Sequence, residues 1–221
     1  MTLEAEKPSN HADQAYQALR GMILRQELPP FERITELRAA EILQLSRTPV
    51  REAIKRLTVE GFLLREPGKG LRVAGLSDDE QTQIFELRLM LETYAVRRVA
   101  ERATPEEVEA LRALALETER LSPPKSDAEM EGLSKANDAF HQMLMQLAHS
   151  KRLSSLMRST LDMALVQRTF RAYRPEEIRR SARHHLEIVE AVAAGNPDWA
   201  ANVMAAHLQA AQAVAARRDD I

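Results

Sequence analysis

The 221-residue sequence contains no cysteine, only seven glycines and 4% aromatic residues. The lack of cysteine excludes disulfides, thiolate catalysis and cysteine-based zinc fingers. Few aromatic and glycine residues, beside many leucines, alanines, glutamates and arginines, favour helices over sheets. No run of about 18 apolar residues occurs, so we expect no membrane-spanning helix and no membrane partner. The acidic, polar segment 1–10 does not resemble a signal peptide, and it predicts a flexible N-terminus of a cytoplasmic protein.

The formal net charge of -2 conceals a weak asymmetry along the chain. Residues 1–75 carry 12 basic and 10 acidic side chains, whereas residues 76–221 carry 19 basic and 23 acidic ones. Within 38–72 there are eight basic and four acidic residues. The strongly basic composition of many nucleic-acid binders is therefore absent, although the local excess permits a small nucleic-acid contact on one face.

The first third of the chain has the pattern of a small DNA-binding fold. Three segments carry apolar residues at the three- and four-residue spacing of amphipathic helices: 11–27, 35–43 and 48–60. Two short segments around a hairpin tip at 67–70 have a strand pattern: 62–65 and 71–74. Thr35 is the predicted N-cap of the second helix, and Thr48 that of the third, with Pro49 at its first position. Three helices followed by a small β-hairpin predict a winged helix-turn-helix domain over 11–75.

From residue 76 onward the pattern is helical almost to the end. Proline-containing breaks separate six predicted helices: 78–102, 105–121, 127–149, 151–173, 175–194 and 197–217. Six helices with short connections predict an all-α six-helix bundle over 76–221. The sequence therefore predicts a mainly α protein of two domains, with residues 75–77 as the linker.

The predicted third helix has a polar face that suits DNA. Thr48, Arg51 and Lys55 lie opposite the apolar positions of this helix. A helix N-terminus with arginines and hydroxyls suits the major groove, where arginine contacts guanine and free N–H groups contact phosphate. Each charge alone would more often be an ordinary solvated residue, but their coincidence with a basic hairpin tip favours DNA contact. The predicted DNA-binding residues are Arg38, Ser46, Arg47, Thr48, Arg51, Lys55, Gly68, Lys69 and Gly70.

The run Leu-Ser-Arg-Thr-Pro-Val-Arg-Glu-Ala at 45–53 carries a family resemblance. Together with Glu-Gly at 60–61, it resembles the DNA-binding domain of GntR-family bacterial transcription regulators. Gln26, Phe31 and Gln44 stand where that family usually has glycine. These departures affect turn geometry but remove no expected contact residue.

Histidine spacing in the helical region leaves two interpretations. Asn137 and His141 are four residues apart and so share one helix face. His185 and His207 lie among apolar residues on the last two predicted helices. Three imidazoles and an amide oxygen could hold Zn²⁺, Ni²⁺ or Mn²⁺. On spacing alone, separate hydrogen-bonded or surface histidines are the favoured interpretation, because the three residues come from distant segments.

A second resemblance changes this balance. Four short runs look like the effector domain of the FadR-type GntR subgroup, the FCD domain: Phe-Glu-Leu-Arg at 85–88, Asn-x-x-Phe-His at 137–141, His-x-x-Ile at 185–188 and His-Leu at 207–208. The resemblance implies a divalent metal, held by Asp or Asn and three histidines beside a pocket for a small carboxylate effector. Asn137, His141, His185 and His207 match that set. Asparagine in place of aspartate removes one negative charge and is expected to weaken metal binding.

Further residues near this pattern have open roles. Arg88 could line the effector pocket or form a helix-surface salt bridge with Glu92, four residues on, and both remain open. Arg168 is a weaker effector-pocket candidate. Asp138 is an alternative oxygen ligand that the helix turns away from the direction of Asn137. We expect His184 at the surface and a structural role for His149.

The leading hypothesis is a ligand-responsive transcription repressor. It would be a homodimer whose two winged domains bind a palindromic operator, and its helical domain would bind metal and effector. The alternative is a helical metalloenzyme whose three-histidine site activates water. Against it, the sequence has neither His-Glu-x-x-His nor paired Glu-x-x-His motifs, and a general base is not evident. The mild charge speaks against a structural nucleoid protein.

Overall fold

A computed structural model describes residues 8–66, 68, 70–160, 169 and 172–217. The chain divides into two compact units, of which the first ends at Ser77 and the second begins at Asp78. The described residues are mostly helical, with one small antiparallel sheet in the first unit. A winged helix-turn-helix unit followed by a helical unit confirms the predicted mainly α fold class.

The first unit is built on its third helix. Its elements are α1 (Pro8–Leu24), β1 (Arg33–Ile34), α2 (Glu36–Leu43), α3 (Arg47–Val59), β2 (Leu63–Glu66) and β3 (Gly70–Val73). Helices α1 and α2 pack on α3, and the buried residues Leu19, Ile23, Ile54 and Leu57 form part of this core. The Tyr16 hydroxyl donates a 2.6 Å hydrogen bond to Glu60, which follows α3. Burial and this carboxylate raise the pKa of Tyr16 to about 12.

The sheet has three strands where the sequence predicted two. Strand β3 lies between β1 and β2 and pairs antiparallel with both. Arg33 and Leu64 both lie opposite Arg72, on either side of the central strand. The prediction missed β1 because two residues are too few to show strand alternation.

Helix α3 begins one residue before the predicted cap. Thr48 is therefore not the N-cap; Ser46 is, and its side chain makes no capping hydrogen bond. Pro49 becomes the third helical residue, which it tolerates because the N–H groups of the first turn have no intrahelical acceptors. The predicted cap of α2 is confirmed, since the Thr35 hydroxyl accepts a 3.1 Å hydrogen bond from the Arg38 N–H.

The three positions where the family usually has glycine keep a left-handed backbone. Gln26, Phe31 and Gln44 have φ values of 60°, 67° and 54°. The turns therefore retain the conformation that glycine would adopt without strain, at a cost of about 1–2 kcal/mol for an L-residue. The three departures from the family pattern therefore add backbone strain to these turns but do not change their backbone conformation.

The second unit is helical throughout its described part. Its helices are α4 (Asp78–Arg102), α5 (Pro105–Arg120), α6 (Asp127–Leu147), α7 (Lys151–Thr160), α8 (Pro175–Ala193) and α9 (Pro197–Ala216). The predicted helix 151–173 is described as α7 only to Thr160, and most of its remainder lies outside the described residues. None of the described helices is long and apolar enough to cross a membrane.

Helix α4 organises this unit. It packs along α9 and also contacts α6, α7 and α8, while α5 packs against α6 and α8. Val96, Leu111, Phe140, Ile188 and Met204 are fully buried members of the shared core. Because of this packing, the inner faces of α6, α8 and α9 meet in the core, and the candidate site lies where they meet.

Candidate functional site

Three histidines from three helices meet in the core of the second unit. His141 lies on α6, His185 on α8 and His207 on α9. Their candidate ligand atoms all lie within 4.8 Å of one another, and their ring centroids are 4.7–5.3 Å apart. Asn137 lies one turn before His141 and is equally buried. The structure thus brings Asn137 and the three histidines together, which sequence spacing alone did not establish.

Several buried polar atoms of this cluster lack hydrogen-bond partners in the described part of the chain. Among the described residues, His141 Nε2, both ring nitrogens of His185, His207 Nδ1 and Asn137 Oδ1 have no hydrogen-bond partner. Each such atom costs about 1–3 kcal/mol when left unsatisfied. Burial lowers the pKa of His185 and His207 well below the usual range. Both rings are therefore neutral near pH 7 and keep the lone pairs that a metal ion requires.

Glu92 on α4 orients His141. One carboxylate oxygen accepts from His141 Nδ1 at 2.5 Å, and the other accepts from Arg88 Nε at 2.8 Å. Burial by itself would raise the pKa of Glu92, but Arg88 and His141 hold it well below its usual range. The ionised carboxylate keeps the His141 proton on Nδ1, so that Nε2 presents its lone pair to the cluster. His185, His207, the Nε2 atom of His141 and Asn137 therefore fit a divalent transition-metal ion.

The sequence offers Glu92 only one role, as the partner of Arg88 in a helix-surface salt bridge, and leaves that role open. The pair with Arg88 exists, but it is buried, with 1% of the Glu92 side chain and 7% of the Arg88 side chain exposed. The four-residue spacing was the available signal for the pair. It carries no information about burial, because a core pair and a surface pair have the same spacing.

A cavity of about 310 Å³ lies beside the histidine cluster. Arg88, Glu92, Asn137 and His141 contribute to its polar part, and Met145 and Met157 contribute to its apolar part. Arg88 thus both pairs with Glu92 and lines the cavity. The two roles that the sequence left open for Arg88 therefore do not exclude each other. Asp138 also lines the cavity, although it was expected to turn away from Asn137.

The remaining sequence candidates have different outcomes. His184 is half-buried, its ring centroid is 6.0 Å from that of His207, and its Nδ1 is buried without a hydrogen-bond partner in the described part, so its expected surface position is wrong. His149 follows α6 with an exposed side chain 3.6 Å from Glu107, apart from the cluster. Arg168 lies outside the described residues.

The first unit presents the predicted polar face of α3. Arg47, Thr48, Arg51 and Lys55 are exposed, whereas Val50, Ile54 and Leu57 on the opposite face are buried. Arg38 and Ser46 are also exposed. At the hairpin tip, Gly68 and Gly70 have φ values of 76° and 85°, which an L-residue adopts only with strain. Lys69, between them, lies outside the described residues.

Two residues of this face escaped the sequence analysis. The Glu36 carboxylate at the start of α2 accepts a 3.2 Å hydrogen bond from Arg51 Nε. It also lies 3.8 Å from an Arg47 terminal nitrogen and 4.0 Å from one of Arg65 on β2. Arg65 belongs to the wing, and no motif distinguished it from other charged strand residues.

Comparison with known families assigns both units. Residues 11–73 match the family described as bacterial regulatory proteins, gntR family, and residues 83–210 match the FCD domain. The chain belongs to the GntR family of bacterial transcription regulators. It is a DNA-binding transcription regulator with an FCD domain, as the two resemblances in the sequence implied.

Similar proteins agree with this assignment. The chain is 36% identical to the Nta operon transcriptional regulator of Aminobacter aminovorans, over 81% of this chain and 82% of that protein. It is 28% identical to the transcriptional repressor NanR of Enterobacter sp. (strain 638), over 91% and 84% of the two chains. The solved structure of Lar, which controls the expression of the Listeria monocytogenes agr system, shares the fold: the TM-score is 0.69 at 21% identity, over 94% of this chain and 97% of that one. Because these relatives are regulators, the metalloenzyme alternative is set aside.

Proposed function

We propose that this GntR-family regulator is a ligand-responsive repressor whose FCD domain holds a divalent metal ion and senses a small carboxylate metabolite. The observation that carries the proposal is the buried three-histidine cluster beside the 310 Å³ cavity. Its unpartnered nitrogen atoms call for a ligand that accepts lone pairs. A metal ion is such a ligand, whereas a hydrophobic effector would leave these atoms unsatisfied.

Asn137, His141, His185 and His207 would hold Zn²⁺, Ni²⁺ or Mn²⁺. The ion would supply positive charge and a Lewis-acid position beside the cavity. Glu92 keeps His141 in the tautomer that can bind the ion, and carboxylates behind metal-bound histidines commonly strengthen such sites. Asn137 would add a neutral oxygen ligand, so the charge of the ion would be left for an anionic effector.

The cavity chemistry favours a carboxylate effector. Arg88 lines the cavity and can donate to a carboxylate oxygen. Its charge is already balanced by Glu92, so the ion would provide the main countercharge. We assign Arg168 to the same effector site on the sequence pattern. Gln142 and Gln146 also line the cavity and can bind further polar groups of the effector.

The winged domain would bind operator DNA through α3 and the wing. Arg47 and Arg51 would contact base edges, while Ser46, Thr48, Arg38 and Lys55 contact the backbone and Gly68, Lys69 and Gly70 approach a phosphate or the minor groove. Two copies would bind a palindromic operator as a homodimer in the cytoplasm. Release from DNA requires that the effector binds the DNA-competent and DNA-incompetent states with different affinity. NanR, a relative across most of the chain, is named a repressor, which supports the same direction of control here.

Metal titration tests the proposed binding of a divalent ion by the histidine cluster. The protein is stripped with a chelator and titrated calorimetrically with Zn²⁺, Ni²⁺ and Mn²⁺ separately. We expect about one ion per chain for the wild type and loss of that binding in His141→Ala. His149→Ala is the matched control, because this exposed histidine lies just beyond the same helix and outside the cluster. Equal metal binding by all three proteins would contradict the proposed site.

The carboxylate part needs a second measurement. Mono-, di- and tricarboxylates are added to stripped and metal-loaded protein, and the melting temperature is recorded. A carboxylate that binds the folded protein raises its melting temperature by mass action. We expect such a rise for at least one class, larger in the metal-loaded protein than in the stripped one. No rise with any class would contradict carboxylate sensing while leaving the metal result intact.

A further inference from the structure

The carboxylate of Glu36 lies close to guanidinium groups from two separate elements of the winged domain. Glu36, the first residue of α2, lies within 3.2–4.0 Å of the side-chain nitrogens of Arg47, Arg51 and Arg65. Arg47 and Arg51 stand one turn apart on α3, whereas Arg65 lies on strand β2 of the wing. The three arginine side chains are more than half exposed, and that of Glu36 is only 24% exposed. The acidic group is thus set beneath the basic ones.

We infer that Glu36 is a positioning residue that holds Arg47, Arg51 and Arg65 as one DNA-reading surface. The inference rests on the proposed role of Arg47 and Arg51 in DNA contact, and it adds Arg65 of the wing to that surface. Arg51 uses Nε for its bond to Glu36, so both terminal nitrogens are available for a bidentate contact with guanine.

Stability does not account for this arrangement. Exposed ion pairs contribute little to folding stability. An arginine side chain, however, loses considerable rotamer entropy when it is ordered. If Glu36 restricts the three side chains before DNA arrives, part of that cost is met during folding rather than during binding. The gain therefore appears in affinity for DNA that matches the arrangement.

The charge of Glu36 points to selectivity rather than to affinity in general. A carboxylate close to the DNA surface repels phosphates and so weakens sequence-independent binding. It nevertheless strengthens binding to the matching sequence by orienting the arginines. The two effects together raise the ratio of specific to non-specific affinity.

DNA selectivity of matched charge variants tests the inference. The specific probe is the duplex enriched from a random library by the wild-type protein, and the non-specific probe is a scrambled duplex of equal length. Glu36→Gln is compared with Glu41→Gln, which removes the same charge from the exposed face of the same helix. Glu36→Asp keeps the charge and the helix-end stabilisation but withdraws the carboxylate by about 1.5 Å. Affinities are measured by fluorescence anisotropy at several salt concentrations.

We expect Glu36→Gln to lower the specific-to-non-specific ratio about tenfold and Glu36→Asp to lower it in part. Glu41→Gln should raise both affinities slightly and leave the ratio within about twofold. Melting temperatures of the three variants should stay close to that of the wild type, since the pairs are exposed. An unchanged ratio in Glu36→Gln would overturn the inference.

Two arginine variants separate this failure from failure of the proposed DNA contacts. Arg51→Ala and Arg65→Ala should each weaken binding to the enriched duplex more than binding to the scrambled one. If Arg51→Ala retains specific binding, the proposed α3 contacts are wrong. If Arg51→Ala loses specific binding while Glu36→Gln keeps the wild-type ratio, only the positioning role of Glu36 is wrong.

Discussion

Asn137 places a neutral amide oxygen in a cluster whose other candidate ligands are imidazoles. The nearest negative charge, on Glu92, is hydrogen-bonded to His141 and paired with Arg88. The residues around the cluster therefore offer a divalent ion little net negative charge. Replacing Asn137 by aspartate adds one negative charge at a candidate ligand position, and so it tests whether the charge around the cluster limits metal affinity.

Asn137→Asp should tighten binding of Zn²⁺ by about tenfold or more. A carboxylate that contacts the ion adds a direct Coulomb attraction, and the cost of desolvating the carboxylate offsets only part of it. Competition with a chromophoric chelator measures the affinity. Gln146→Glu is the control, because it adds the same charge to the same cavity at a position outside the ligand set. Equal tightening in both variants would mean that Asn137 is not a ligand.

The residues of the candidate metal site were predictable from the sequence, but the carboxylate that orients His141 was not. Asn137 and His141 share a face by helical periodicity, and the family pattern supplies His185 and His207. The role of Glu92 depends on α6 packing against α4, which no local spacing encodes. His184 was misplaced for a similar reason: whether a position beside a core histidine on α8 faces solvent or a neighbouring helix depends on where α9 lies.

At the scale of elements, helix ends decide where prediction and structure differ. Proline at 49 marks a helix start, but it fits any of the first three positions equally well, so the start of α3 was misplaced. Strand β1 has only two residues, and its pairing with β3 depends on the turn that Phe31 makes. The long helices of the second unit follow from apolar periodicity because each repeats the pattern over several turns.

Gln44 ends α2 in a left-handed conformation, and its side chain is exposed. A substitution at this position therefore changes the backbone strain without disturbing core packing. Gln44→Gly should stabilise the first unit by about 0.5–1 kcal/mol, since it removes about 1–2 kcal/mol of strain at some entropic cost. Its melting transition should rise by a few degrees in differential scanning calorimetry. Gln44→Ala, which loses the same side-chain atoms but keeps the strain, should leave the transition nearly unchanged. A rise of equal size in both variants would place the effect in the side chain instead.

For the whole molecule, a palindromic operator requires two winged domains in one assembly. Leu87, Met90 and Tyr94 are exposed large hydrophobic residues at helical spacing on one face of α4. Apolar residues that recur on one exposed helix face are typical of an interaction surface. In the proposed homodimer, a second copy of this chain would cover this surface.

Met90→Glu should therefore convert the proposed dimer into a monomer, because it places a charge in the apolar α4 surface. Light scattering should give about twice the chain mass of 25.0 kDa for the wild type and about one chain mass for the variant. Leu116→Glu is the matched control, since Leu116 is a similarly exposed leucine on α5, and it should remain dimeric. Affinity for the enriched palindromic duplex should fall with the monomer, whereas affinity for a single half-site should not. A dimeric Met90→Glu variant would place the interface on another face, and a monomeric wild type would contradict the two-headed operator contact itself.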